Sequence, residues 1–293
     1  MVRELAKEAV METRLWFMHW DWQPSIILGT LAIIGLYAYA IGPLREKYQL
    51  GPVVPLARVC AFLLGVDIIF LALFSPLDYV ADTYLFTAHM IQHMILSLVG
   101  PPLILAGLPG WLLQPLSRSR ITSTIGKGLT HPLVAATLFT ANLWLWHAPP
   151  LYEVMLVNEL VHTLCHLLYI ATGLLFWWPL LSPLQEGWPP LALGGKLAYL
   201  FFSDMPMVLL GAGLTFSPPL YAYYQHAPRL FGLSVAVDQQ LGGLLMWIVG
   251  SIYFIVLASI FFLRWMLAQE EQQRRAECAG AAELEGSGAI TPR

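Results

Sequence analysis

Two histidine pairs carry the chemistry most open to this chain. His89-Met-Ile-Gln-His93 and His162-Thr-Leu-Cys165-His166 each hold imidazoles four residues apart. On a helix that spacing puts both rings on one face, a single turn apart. Cys165 adds a thiol beside the second pair. Imidazole and thioether suit Cu(I), imidazole with carboxylate suits Cu(II), and zinc also accepts histidine. The spacing therefore points to a bound metal, with copper the favoured ion. Asp67, Asp204 and Asp238 bring carboxylates into otherwise apolar runs, and His147 closes another. The candidate ligand set is thus His89, His93, His162, His166, Asp67, Asp204, His147 and Asp238. Met90 and Met94 leave the histidine face and are expected to be lipid or core contacts.

Membrane helices are the elements that must position these residues. Of 293 residues, 58% are hydrophobic and 11% charged, with a mean hydropathy of +0.66. A soluble domain carries about a quarter charged residues. Apolar runs near 25–43, 53–75, 83–108, 131–147, 159–181, 195–215 and 240–265 predict an all-α bundle of seven transmembrane helices spanning 25–268. Gly100-Pro101-Pro102 is expected to kink the third of them. Residues 1–24 read as an interfacial amphipathic segment ending in an aromatic belt, and Glu4, Glu8 and Glu12 argue against a cleaved signal. The polar stretch 269–293 is expected to be a disordered cytoplasmic tail.

Lysine and arginine set the orientation. Arg45, Lys47, Arg58, Arg118, Arg120, Lys127, Lys196 and Arg264 fall on one side, whereas the loops 76–82 and 148–158 have no basic residue. The positive-inside rule then puts the N-terminus outside and the C-terminus inside. In that topology every histidine except His131 lies toward the outer side. His93 and His166 sit roughly 10–15 Å below the outer boundary at about 1.5 Å per residue. The depths suggest a shallow ring (His89, His147, His162, His226) over a deeper one (His93, His166, with Asp67 or Asp204). A buried polar group at such depth is costly and usually functional.

Other chemistries fit less well. Cys60, Cys165 and Cys278 form no CxxC pair, and no HExxH, GxSxG or P-loop pattern is present, so no enzymatic activity is expected. A net charge of −3 argues against a nucleic-acid partner. A haem held between His93 and His166, making an electron-transfer protein, is one alternative. A copper transporter is another, although it would need a polar route through the inner half. The last span has no lysine to form a retinal Schiff base.

The phrases His89-Met-Ile-Gln-His93-Met, Trp146-His-Ala-Pro-Pro-Leu-Tyr152, His162-x-x-x-His166, Asp204-Met-Pro-Met207 and Asp238-Gln-Gln-Leu-Gly-Gly-Leu-Leu-Met-Trp247 resemble the CtaG family of bacterial membrane proteins. Those are assembly factors for caa-type cytochrome c oxidase, and a similar domain occurs fused to copper-resistance membrane proteins. The resemblance implies a multi-pass protein of the bacterial cytoplasmic membrane that serves the respiratory chain. It further implies haem–copper oxidase subunits as partners, beside membrane lipids and a copper donor on the outer side, and a metallochaperone role at the copper step.

Overall fold

The computed structural model describes residues 14, 19–184 and 187–288, and all of its elements are helical. Long helices form the framework: α1 (Pro24–Tyr48), α2 (Leu56–Phe74), α4 (Phe86–Gly107), α9 (Glu159–Leu181), α10 (Leu193–Phe216) and α12 (Val235–Cys278, helical on to Gly288). Short helices join them: α3 (Pro76–Thr83), α5 (Gly110–Arg118), α6 (Arg120–Leu129), α7 (Pro132–His147), α8 (Pro149–Val157) and α11 (Ala222–His226).

Among the described residues, six helices are long and apolar enough to cross a membrane, one fewer than the seven spans expected. The difference is α7, which has 16 residues and is therefore about 24 Å long against a hydrocarbon core of about 30 Å. One further expectation changes. The tail from 269 is helical as far as Gly288, because its Ala, Glu, Gln and Arg residues favour helix. Glu270–Arg274 (2.7 Å) and Glu271–Arg275 add ion pairs one turn apart. The N-terminal amphipathic segment lies outside the described residues except for Arg14 and 19–24.

Burial ranks the helices. α4 is buried over 61% of its apolar stretch and α9 over 50%, whereas α1 is buried over 11%. Outward faces are apolar, as at Leu28, Leu160, Phe202 and Phe216, which is how a helix surface facing lipid looks. The two most buried helices pack closely: a Cβ at Gly173 of α9 would lie 2.8 Å from the Ser97 carbonyl oxygen of α4. That contact brings the two histidine pairs side by side.

Gly100-Pro101-Pro102 deforms α4 as its chemistry demands. The prolines have no N–H to donate to the carbonyls four residues back, Ser97 and Leu98. The helix widens into a π turn over Ile95–Val99, and neighbouring helices supply the missing donors. Trp177 Nε1 of α9 donates to the Ser97 carbonyl (3.0 Å), and the Tyr253 hydroxyl of α12 donates to that of Leu98 (2.8 Å). The kink becomes a widened turn pinned from two sides, since a carbonyl unpaired in hydrocarbon is costly. Tyr253→Phe is accordingly predicted to destabilise the protein by about 1–3 kcal/mol, with the exposed Tyr39→Phe as a neutral control. Thermal unfolding in detergent checks it, and equal midpoints for the two variants would count against the pinning.

Candidate metal centre

His89 and His93 face inward from the first two turns of α4, and His162 and His166 from the first two turns of α9. Each start is fixed by a cap. The Asn158 side chain accepts from the Val161 N–H (3.2 Å) at the start of α9. At the start of α4 the cap comes from another helix: the Asp238 carboxylate of α12 accepts from the Phe86 N–H (2.8 Å) and the Thr87 N–H (3.0 Å). An anion there also complements the positive end of the helix dipole.

The four imidazoles form one cluster. Ring centroids are 4.2 Å apart for His89–His93, 4.3 Å for His162–His166, 5.5 Å for His89–His162 and 5.6 Å for His93–His166. One potential ligand atom from each of His89, His93 and His162 lies within 4.8 Å of the other two. His89, His93 and His166 are buried and His162 half-buried. The Tyr169 ring stacks on His93 at 4.2 Å, and Cys165 Sγ is 4.0 Å from His93 Nε2.

Asp82, at the end of α3, organises the outer layer of the cluster. Its carboxylate lies 3.2 Å from His162 Nδ1 and 3.4 Å from His89 Nδ1. Burial opposes its ionisation, but the two histidines outweigh that and hold its carboxyl below the usual carboxylate range. A carboxylate beside Nδ1 favours the tautomer with the proton on that nitrogen, which would leave Nε2 unprotonated, the form that ligates metal. Both Nε2 atoms are buried without a hydrogen-bond partner, as are His166 Nε2 and His93 Nδ1. Buried imidazole nitrogens are normally paired, so these open ones, with His89, His93 and His162 close enough to share one ion, mark a candidate cation site.

Asp78, one turn earlier on α3, accepts from Gln92 Nε2 (2.5 Å), which also donates to the Ala72 carbonyl (3.0 Å). Burial and the neighbouring Asp82 charge push its pKa up to about 8. The acid nearer the histidines is therefore the ionised one. A cavity of about 590 Å³ between α1, α2, α3 and α9 reaches the cluster, lined in part by Asp21, Asp78, Asp82, Glu159, His162 and His166. A mouth with several carboxylates concentrates cations at the opening.

The other expected ligands lie elsewhere. Asp67 is exposed on α2. Asp204 of α10 accepts from the Ser251 hydroxyl of α12 (2.9 Å), and Asp238 is occupied in capping α4. His147 is on the far side of α4, where its Nε2 meets Met90 Sδ at 3.2 Å, and His226 is exposed. The shallow ring thus reduces to His89 and His162, and the deeper one to His93 and His166. Sequence reasoning passed over Asp78 and Asp82. Their i, i+4 spacing behind Ser75-Pro76, a cap followed by proline at the first helical position, was the available signal.

The model of the cytochrome c oxidase caa3 assembly factor family matches residues 35–268, which take in both histidine pairs, Asp78 and Asp82. The chain belongs to that family. Similar proteins include an uncharacterised protein of Mycobacterium leprae, 25% identical over 265 residues, and uncharacterised proteins of Mycobacterium bovis and Mycobacterium tuberculosis, each 25% identical over 264. Each alignment covers 83% of this chain, which spans 39% of the length of these curated relatives. No solved structure matches the chain. In this family member Asp82→Asn is predicted to weaken binding of Zn(II) or Cu(II) by about 10–100-fold, while Asp67→Asn leaves it unchanged. Isothermal titration in detergent measures both, and equal losses would remove Asp82 from its special position.

Proposed function

We propose that this assembly factor takes up copper at the outer side of the bacterial cytoplasmic membrane and passes it to the haem–copper oxidase as the enzyme is built. Copper is cargo in this reading, held at His89, His93, His162 and His166 with Asp82 orienting two of the rings. The carrying observation is the set of buried, unpartnered imidazole nitrogens, with ligand atoms of His89, His93 and His162 within 4.8 Å of one another, beside a cavity lined by acids. Copper reaches them from the vestibule and leaves by the same face. Inward of the cluster Phe139, Phe176, Trp177 and Phe254 pack ring on ring, a dry wall that favours a delivery site over a transport path.

The geometry also favours an ion over a haem. The imidazoles pack against one another and against Tyr169 at 4.2–5.6 Å, which leaves no slot for a macrocycle between His93 and His166.

In this reading α7 is the seventh crossing, with the N-terminus outside and the C-terminus inside. Its first end follows α6, where Gly126 packs on Trp188, and at its last turn the His147 carbonyl accepts from Tyr221 (3.0 Å). Tyr224 donates to the Ala81 carbonyl (2.7 Å) at that same end, while Lys196 donates to Leu180 at the other (2.5 Å). The basic residues gather at the Leu180 end, the side they mark as inner.

Cu(II) added to the purified protein is predicted to bind at one per chain, with nitrogen hyperfine structure in its electron paramagnetic resonance. His89→Ala/His162→Ala is expected to lower the affinity at least about 100-fold, and cells carrying it to accumulate oxidase without copper. Full oxidase metallation in those cells would refute copper delivery and leave a scaffold role.

A further inference from the structure

On the side of α4 turned away from the vestibule lies a second set of ligating atoms that the imidazole cluster does not use. A cavity of about 20 Å³ is bordered by Met90, Met94, Met207 and Met246, together with His147 and His93. A space of that size holds one water molecule or one ion. The four thioethers come from three helices: Met90 and Met94 from α4, Met207 from α10 and Met246 from α12. Met90, Met207 and Met246 are buried.

Three features set this cavity apart from a core gap filled by flexible side chains. His147 Nδ1 lies 2.7 Å from the Leu143 carbonyl, which can only accept, so the ring proton sits on Nδ1. The neutral ring then has a bare lone pair on Nε2, and that lone pair faces the Met90 sulfur at 3.2 Å. Two electron-pair donors turned toward each other gain nothing mutually, and both gain from a cation between or beside them. Second, a Cβ at Gly250 would lie 2.5 Å from the Met207 methyl, with the Met94 methyl 3.9 Å from the same point. Glycine there gives the ends of both side chains room beside α12. Third, α12 has a π turn over Leu245–Val249 that carries Met246. Unlike the turn in α4, no proline follows to cause it. π turns re-aim side chains and recur at functional sites.

We propose that this cavity is a second metal site, selective for Cu(I), with the Met90, Met94, Met207 and Met246 thioethers and His147 Nε2 as its donors. Soft thioether sulfur selects Cu(I) over zinc and Cu(II). The inference rests on the copper reading of the imidazole cluster and extends it. His93 borders both places, with a nitrogen 4.0 Å from Cys165 Sγ on one side and the thioether cavity on the other, so it is the shared wall through which Cu(I) exchanges ligands. No electron moves in that exchange, because both donor sets accept Cu(I). The inner site stores the ion in a form that zinc does not displace.

The test is an anaerobic titration of the full-length, selenomethionine-labelled protein in detergent with Cu(I), against a chromophoric Cu(I) chelator, followed by copper-edge X-ray absorption. Two Cu(I) per chain with copper–selenium scattering are expected. Met207→Leu/Met246→Leu, a volume-conserving change, should drop binding to one and erase most of the selenium signal. His89→Ala/His162→Ala should also drop binding to one but keep that signal. Copper bound at any stoichiometry with nitrogen scattering alone overturns the thioether site and leaves the imidazole reading standing. No copper bound overturns both. The selenium signal is read on the unsubstituted sequence, so the result does not depend on how well either variant folds.

Discussion

The interaction on which the rest depends is the approach of the Asp82 carboxylate to the Nδ1 atoms of His89 and His162. Without an acid at that position, the imidazoles of two buried helices would have no reason to present the same nitrogen in the same direction. With it, the Nδ1 side of both rings lies against the carboxylate, which favours a proton there and a free lone pair on Nε2. Orientation by a carboxylate is what converts histidines that happen to be neighbours into a donor set. The cost is a group of polar atoms buried in an apolar bundle, and such a group persists where a cation is part of the working state.

Much of the fold serves to hold that arrangement. The Gly173 contact brings α9 against α4, and Asp238 of α12 fixes where α4 begins. Trp177 and Tyr253 replace the donors that Pro101 and Pro102 remove. These devices tie α4 to α9 and α12, so the helix bearing His89 and His93 is held at its start, along its side and at its deformed middle. The carboxylates of the vestibule add a field that favours cations, and the aromatic packing inward of the cluster closes the opposite direction. The histidine cluster is thus open on the side of the vestibule and backed by packed aromatic rings on the other.

The parts of this arrangement legible in the sequence were those encoded within a single helix. The two i, i+4 histidine pairs announce themselves by spacing, and the apolar runs announce their helices by length. Asp82 did not, because it sits in a connecting segment where hydropathy says nothing and its partners are on other elements. Asp238 was misplaced for the complementary reason: a carboxylate inside an apolar run looks like a ligand until the helix end that it caps comes into view. Asp67 looked equally suitable by depth, but which face of α2 turns inward depends on packing that no local pattern records. The tail was read from its polarity, although Glu270–Arg274 and Glu271–Arg275 already carried a helical signal. The thioether cavity could not have been read at all, since its methionines meet only when three helices do.

The most direct measurement of the central claim is anomalous scattering at the copper edge from the copper-loaded protein, in crystals or as a difference between data sets on either side of the edge. A peak is expected among His89, His93 and His162, within bonding distance of their unpartnered ring nitrogens. A copper-loaded protein with no peak in that cluster, or with copper only at the exposed His226, would contradict it.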